Sequence, residues 1–387
     1  MNRVVVVLGL VAFAACQPGD ATPAPSPTAA VVVARDASVI DADVSRLAGK
    51  PLYAALCAPC HGVDAKGYAA DHAPSLVNPT FLESASDDFL RRGIAAGRPG
   101  TSMAAYGKAV GGPLDDAGVD RLVGYLREQG PPARSLPAPA AGDVAAGAAT
   151  YAKRCFGCHG DATSRGEGIS LANPQFQAAA SDAFVRHAIV NGRPGTKMES
   201  FASQLTDAEI DGVVSYVRTL GHGGAAQVAL LPPPTGSEPL VINPAGKSPS
   251  FQLRAEPCPP GDASCKPEPR FVSVEQVAKA VAAHQRLVII DARPPSEWMR
   301  VHIAGAVSIP YHDMKRLAEV PKDGTWIVAY CACPHHLSGI VVDELRKRGY
   351  THAVVLDEGI NDWHRRGFPV TAAAGVTKPA AEPVPPR

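Results

Sequence analysis

Apolar residues at Val119, Leu122, Val123 and Leu126 fall on one side of a helix, and Ile210, Val213, Val214 and Val217 repeat the pattern further on. Steps of three and four predict amphipathic helices laid against a core. Thr206 with Glu209 three residues later is a capping-box pattern and marks where the second of these helices starts. Two more helical stretches, Asp87 to Ala96 and Asp182 to Val190, carry apolar stripes through Phe89 and Phe184. From Phe271 the period changes. β-branched runs at 287–290, 306–309, 326–330 and 353–356 alternate with helix-like segments, which predicts a parallel α/β domain of about 100 residues.

The two helical patterns belong to an internal repeat. Copy one runs Tyr53, Cys57-Ala-Pro-Cys60-His61-Gly62, Asn78-Pro79, Gly97-Arg98-Pro99-Gly100-Thr101-Ser-Met103, then Tyr125 and Arg127. Copy two runs Tyr151, Cys155-Phe-Gly-Cys158-His159-Gly160, Asn173-Pro174, Gly192-Arg193-Pro194-Gly195-Thr196-Lys-Met198, then Tyr216 and Arg218. One order at nearly one spacing reads as a duplicated small domain. The Pro-rich stretch 131–142 reads as a semi-rigid linker that permits either a packed pair or two separate beads.

The chain has 387 residues, 37 basic and 37 acidic side chains and no polybasic block, so nucleic-acid binding has no electrostatic support. Its 37 Pro and 36 Gly concentrate in the connections. The nine cysteines divide into Cys16, the CxxC pairs 57/60 and 155/158, Cys258 with Cys265, and Cys331 with Cys333. We expect Cys258 and Cys265 to close a local disulfide.

A CxxCH segment has strict chemistry. Two thiols one helical turn apart add across the haem vinyl groups, and the neighbouring His ligates the iron. Two such motifs at matching repeat positions predict two covalently bound haem c groups, on Cys57 and Cys60 with His61, and on Cys155 and Cys158 with His159. Of five methionines only Met103 and Met198 lie in the repeat, both in the same Gly-Arg-Pro-Gly-Thr-x-Met phrase. They are the expected sixth ligands, a pairing that raises the potential. His72 and His187 occupy unmatched positions and read as surface histidines, and each haem is expected in its own small core.

On these residues the stretch from Leu47 to Gly221 resembles two tandem cytochrome c domains. Pro74 matches the family's proline beside the proximal His. Copy two has Ile169 there, which raises the expectation of a different hydrogen bond to His159. Further on, Asp291-Ala-Arg293-Pro-Pro-Ser-Glu297-Trp298 with His302-Ile-Ala-Gly305, and Glu358-Gly359 to Trp363 with Gly367-Phe-Pro369, resemble the opening and closing signatures of the rhodanese family. The fold class expected is therefore multidomain: two all-α cytochrome c domains, 46–130 and 143–221, a Pro/Gly-rich connection 222–270, and an α/β rhodanese-like domain with a parallel sheet, 271–371. A disordered tail, 372–387, completes it.

Cys331 follows the strand 326–330, where the resemblance places the catalytic cysteine. The loop Cys331-Ala-Cys333-Pro-His335-His336 lacks the family's usual Arg, whose charge His335 and His336 are candidates to replace. Three readings stay open: sulfur transfer through Cys331 with Cys333 as second thiol, a noncatalytic binding module, and a soft-metal site of Cys331, Cys333, His335 and His336.

Val4 to Ala15 is a short apolar run after Arg3, and Phe13-Ala-Ala-Cys16 resembles a bacterial lipobox. The expectation is a signal segment 1–16, lipidation at Cys16 and a flexible tether 17–45. That places a lipoprotein in the bacterial cell envelope facing the periplasm, with the outer membrane favoured. Its expected partners are redox proteins, thiosulfate or a persulfide, and the membrane through the lipid. The sequence leaves two functions open: electron transfer coupled to sulfane-sulfur handling, or a pure electron carrier with a docking module.

Overall fold

The structure, a computed structural model, describes residues 43–67, 72–164, 166–221, 229–258, 264–332, 335–376 and 378. Cys16, the signal segment, residues 17–42 of the tether and Cys333 lie outside them. Described residues of the expected tether are already folded: Asp43 caps a short turn, Val44–Arg46, whose Val44 is buried.

The first repeat forms helices α1 (Gly49–Leu56), α2 (Ala58–His61), α3 (Pro79–Ser84), α4 (Asp87–Ala96) and α5 (Asp116–Arg127). The second forms α6 (Val144–Arg154), α7 (Phe156–His159), α8 (Pro174–Ala179), α9 (Asp182–Asn191) and α10 (Asp207–Leu220). Each repeated Asn-Pro is a helix start. Asn78 accepts from the Phe81 amide and Asn173 from the Phe176 amide, while the proline takes the first helical position, where its missing N–H costs nothing. Ser86 and Ser181 cap the next helices alike, and Thr206 with Glu209 makes the full capping box. The four apolar residues of each face expected from α5 and α10 are all buried.

The repeats are a packed pair related by reciprocal contacts. The Asn78 side-chain amide donates to the Pro194 carbonyl and that of Asn173 to the Pro99 carbonyl, both at 2.9 Å. Between them Phe89 stacks on Phe184 at 4.7 Å, with Phe81 and Phe176 edge-on. One apolar cluster runs through both repeats, so the expected separate small cores are replaced by a shared one. His187 belongs to this interface rather than to the surface: its side chain is 9% exposed and lies 3.6 Å from Glu83. His72 is exposed, as expected.

The C-terminal part builds β1 (Arg254–Glu256), β2 (Glu268–Val272), α11 (Val274–Ala282), β3 (Leu287–Asp291), α12 (Pro295–Trp298), β4 (Val301–Ile303), β5 (Val307–Ser308), β6 (Trp326–Tyr330), α13 (His336–Lys347), β7 (Ala353–Leu356), α14 (Gly359–Arg365) and β8 (Val370–Ala372). The main sheet runs β1-β2-β7-β6-β3-β5 and is parallel except for β1. β3 and β7 are buried along their whole length, which is why they read as unbroken apolar runs.

Two boundaries differ from expectation. The connection 222–270 contributes β1, a Cys258–Cys265 disulfide and a backbone pairing of Ile242 with Leu287. β8 pairs with β4 through Ala372, and the Ala373 amide donates to the Arg300 carbonyl, so the start of the expected tail is part of the domain. Among the described residues no helix is long and apolar enough to cross a membrane.

Candidate functional site

The two CxxCH segments fold alike. Cys57 ends α1 and Cys155 ends α6, and each following one-turn helix, α2 or α7, brings its second Cys and its His round onto the same turn. The hydroxyls of Tyr53 and Tyr151 lock these turns by donating to the carbonyls of Gly62 and Gly160, at 2.8 and 2.7 Å. Burial pushes the Cys57 thiol up to about 12 and the Cys155 thiol up to about 11, so both are neutral as they stand.

His61 Nδ1 lies 2.9 Å from the Pro74 carbonyl, and His159 Nδ1 lies 2.8 Å from that of Ile169. A carbonyl only accepts, so Nδ1 carries the proton in each ring and Nε2 keeps its lone pair. Burial lowers both imidazole pKa values, which holds the rings neutral. The exchange of proline for Ile169 therefore leaves the hydrogen bond in place, because a main-chain carbonyl makes it. Two thiols and a neutral, oriented imidazole on one turn fit a covalent haem.

The methionine loops also superpose in their bonding. Arg98 and Arg193 donate their amides to the carbonyls of Met103 and Met198, at 2.8 and 2.7 Å. Thr101 and Thr196 hydroxyls each accept from the methionine amide at 3.1 Å. Gly100 and Gly195 both take φ +81°, a conformation that favours glycine. Met103 and Met198 pack against the shared apolar cluster.

In the C-terminal domain, the signature residues fix the end of β6. Asp291 accepts from Arg293 at 2.9 and 2.7 Å and from the Tyr330 hydroxyl at 2.8 Å. Tyr330 is thereby held one residue before Cys331. The Ile360 amide donates to the Cys331 carbonyl at 3.0 Å, and Gly359 sits at φ +66° where a Cβ would lie 2.7 Å from that oxygen. The closing signature thus clamps the opening of the loop. Cys331 is fully buried, its Sγ 3.3 Å from the Ser338 hydroxyl.

His335 is engaged by a neighbouring carboxylate. Its Nε2 lies 2.7 Å from Asp357 and its ring rests on Phe271, so Asp357, also held by Arg254, engages it. His336 opens α13. Among the described residues no group of three His, Cys, Asp or Glu side chains is placed to hold a metal ion, with Cys333 outside that description.

Sequence reasoning did not find the contact that joins the halves. The Tyr311 hydroxyl donates to the Leu56 carbonyl at 2.7 Å and lies 2.9 Å from the Tyr106 hydroxyl. Ser296 donates to the Ala105 carbonyl at 2.6 Å. α13 packs on α2, and a small cavity there is lined by Cys60, Ser102 and Ala104 on one side and Glu297, Ala332 and Leu337 on the other. No periodicity or motif flags Tyr311 or Tyr106, since each reads as an ordinary core tyrosine.

A family profile described as cytochrome c matches residues 47–130, and one described as cytochrome C oxidase, cbb3-type, subunit III matches 142–217. A rhodanese-like domain profile matches 273–366. The chain carries two c-type cytochrome domains and a C-terminal rhodanese-like domain. The cytochrome domains imply covalently held haem c.

Over 190 residues the chain is 30% identical to the cbb3-type cytochrome c oxidase subunit FixP of Bradyrhizobium sp. (strain ORS 278), covering 46% of this chain and 62% of that protein. It is 31% identical over 195 residues to the subunit CcoP of Azospirillum sp. (strain B510), covering 45% of this chain and 62% of that protein. The match thus spans about three fifths of these oxidase subunits. The rhodanese-like domain is 28% identical over 113 residues to a sulfurtransferase of Allochromatium vinosum, covering 27% of this chain and 96% of that protein.

Proposed function

We propose that the chain is a cell-envelope di-haem electron carrier whose rhodanese-like domain takes sulfane sulfur on Cys331. His61 and Met103 ligate one iron, His159 and Met198 the other, and Cys57, Cys60, Cys155 and Cys158 form the thioethers. When bound, haem c supplies a one-electron ferric/ferrous couple. The chain's own residues do the rest. The carbonyls of Pro74 and Ile169 orient the imidazoles and make them better ligands. The two methionine thioethers favour the ferrous state, and the shared aromatic core fixes one repeat against the other.

The observation that carries the reading is the duplication of the whole ligand geometry, from the Tyr lock to the methionine loop. Resemblance to oxidase subunits and to a sulfurtransferase supports an envelope location and sulfur chemistry. Lipidation at Cys16 and an outer-membrane, periplasm-facing location belong to the same proposal, and Cys16→Ser should release the protein from membranes.

The sulfur part is tested with thiosulfate:cyanide transfer and intact mass. Cys331→Ser should abolish both turnover and a sulfur adduct, whereas Cys333→Ser should keep the first transfer. A second reading, a noncatalytic module on a pure electron carrier, is favoured by the complete burial of Cys331 and the missing Arg. An adduct absent from every variant decides for it.

A further inference from the structure

The two repeats are near copies, so a difference between matching positions reports what each one faces. In α2, Ala58 is 4% exposed, Cys60 is half-buried and His61 is buried. In α7, the matching Phe156 is 45% exposed, Cys158 is exposed and His159 is only half-buried. The cover on α2 is the rhodanese-like domain. Its helix α13, which begins after the Cys331 loop, packs on α2, and Ala332 shares a cavity with Cys60. Tyr311 and Ser296 pin the contact on either side, binding the carbonyl before Cys57 and the carbonyl two residues after Met103. Among the described residues no helix of the rhodanese-like domain packs on α7 as α13 packs on α2.

We propose that this contact is a sensing junction: the charge carried at Cys331 sets the potential of the iron held by His61 and Met103, and leaves that of His159 and Met198 alone. The proposal rests on the di-haem reading and deepens it. A thiolate, a persulfide or a bound anionic sulfur compound differs in charge from a neutral thiol. In a low-dielectric contact with α2 that charge is weakly screened. Negative charge favours the ferric state, so loading the loop with anionic sulfur lowers the first midpoint. At the second iron the same charge is remote and the thioether turn faces water. The junction would thus report sulfur loading to one haem, without any atom or electron passing between the domains.

The test is potentiometric, on the full-length holo-protein. Ala332→Glu places a charge in the shared cavity, Ala332→Gln is its neutral control, and Phe156→Glu is the mirror variant on α7. Met103→His and Met198→His assign the two midpoints. Ala332→Glu should lower the first midpoint only, Ala332→Gln should move neither, and Phe156→Glu should lower the second only. The sensing junction is overturned if Ala332→Glu moves both midpoints equally, the second alone, or neither. A pyridine haemochrome count of fewer than two haems per chain sinks the di-haem reading instead, so the two failures are told apart. Should Ala332→Glu separate the domains, Ser338→Asp, in the first turn of α13 where the native hydroxyl lies 3.3 Å from Cys331 Sγ, repeats the charge, and an unchanged first midpoint there also overturns the proposal.

Discussion

The Tyr311 hydroxyl donates to the main-chain carbonyl of Leu56 at 2.7 Å, joining the rhodanese-like domain to the residue that precedes Cys57, the start of the first CxxCH turn. The Tyr106 hydroxyl lies 3.2 Å from the same oxygen and 2.9 Å from the Tyr311 hydroxyl, and it donates its single proton to one or the other. Such a closed polar network inside an apolar contact fixes geometry as well as contributing stability.

Removing the Tyr311 hydroxyl should cost about 1 kcal/mol, because Tyr106 still satisfies the carbonyl. Tyr311→Phe with Tyr106→Phe should cost more than the two single changes together, since the oxygen is then buried without a partner. Urea unfolding followed by tryptophan fluorescence of the three proteins and the wild type measures the coupling. Strict additivity would mean that the hydroxyls act independently.

The Ile169 side chain takes no part in the hydrogen bond to His159. Ile169→Pro and Ile169→Ala should therefore leave the second midpoint where it is, while Met198→His lowers it and spares the first. Redox titration of the three proteins checks this. A large shift in Ile169→Ala would show that the carbonyl needs that side chain to stay in position.

Gly359 combines a positive φ with a close approach to the Cys331 carbonyl. Gly359→Ala should destabilise the rhodanese-like domain by about 1–3 kcal/mol, through backbone strain and the displaced oxygen. It should also speed alkylation of Cys331 by loosening the clamp. Denaturation and timed thiol labelling read the two effects separately.

Asp357 is held well below its ordinary pKa: burial works against this, but hydrogen bonds from His335 and Arg254 prevail. A depressed carboxylate contributes stability that is complete above its unfolded value and is lost as pH falls through the folded one. The wild type should therefore lose stability on acidification below about pH 4 more steeply than Asp357→Asn, which lacks this proton uptake. Unfolding midpoints from pH 6 downward give the comparison. Parallel curves would show that another carboxylate governs the acid limb.

The parts legible in the sequence were those written as local pattern. The CxxCH turns and the Thr206–Glu209 box each depend on residues a few positions apart, and the structure forms each of them. The strand ending at Tyr330 was legible for the same reason. Interaction with a main-chain atom was not. Ile169 looked like a departure because a side chain had changed, yet its carbonyl does the work. His187 looked exposed because nothing in its helix says that the other repeat covers it. The pairing of His335 with Asp357 was not legible because the two are 22 residues apart in sequence.

The reciprocal pair of Asn78 with Pro194 and Asn173 with Pro99 has the form of a two-fold dimer interface written into one polypeptide. In a true homodimer every substitution appears on both sides at once, so the two halves are bound to stay alike. Fusion lifts that restriction. Ala58 could remain small beneath a partner domain while Phe156, its counterpart, stayed large and open to water. The linker also holds the pair together at any dilution, where separate subunits would part. A duplicated gene thereby acquired two CxxCH turns that evolution can edit one at a time.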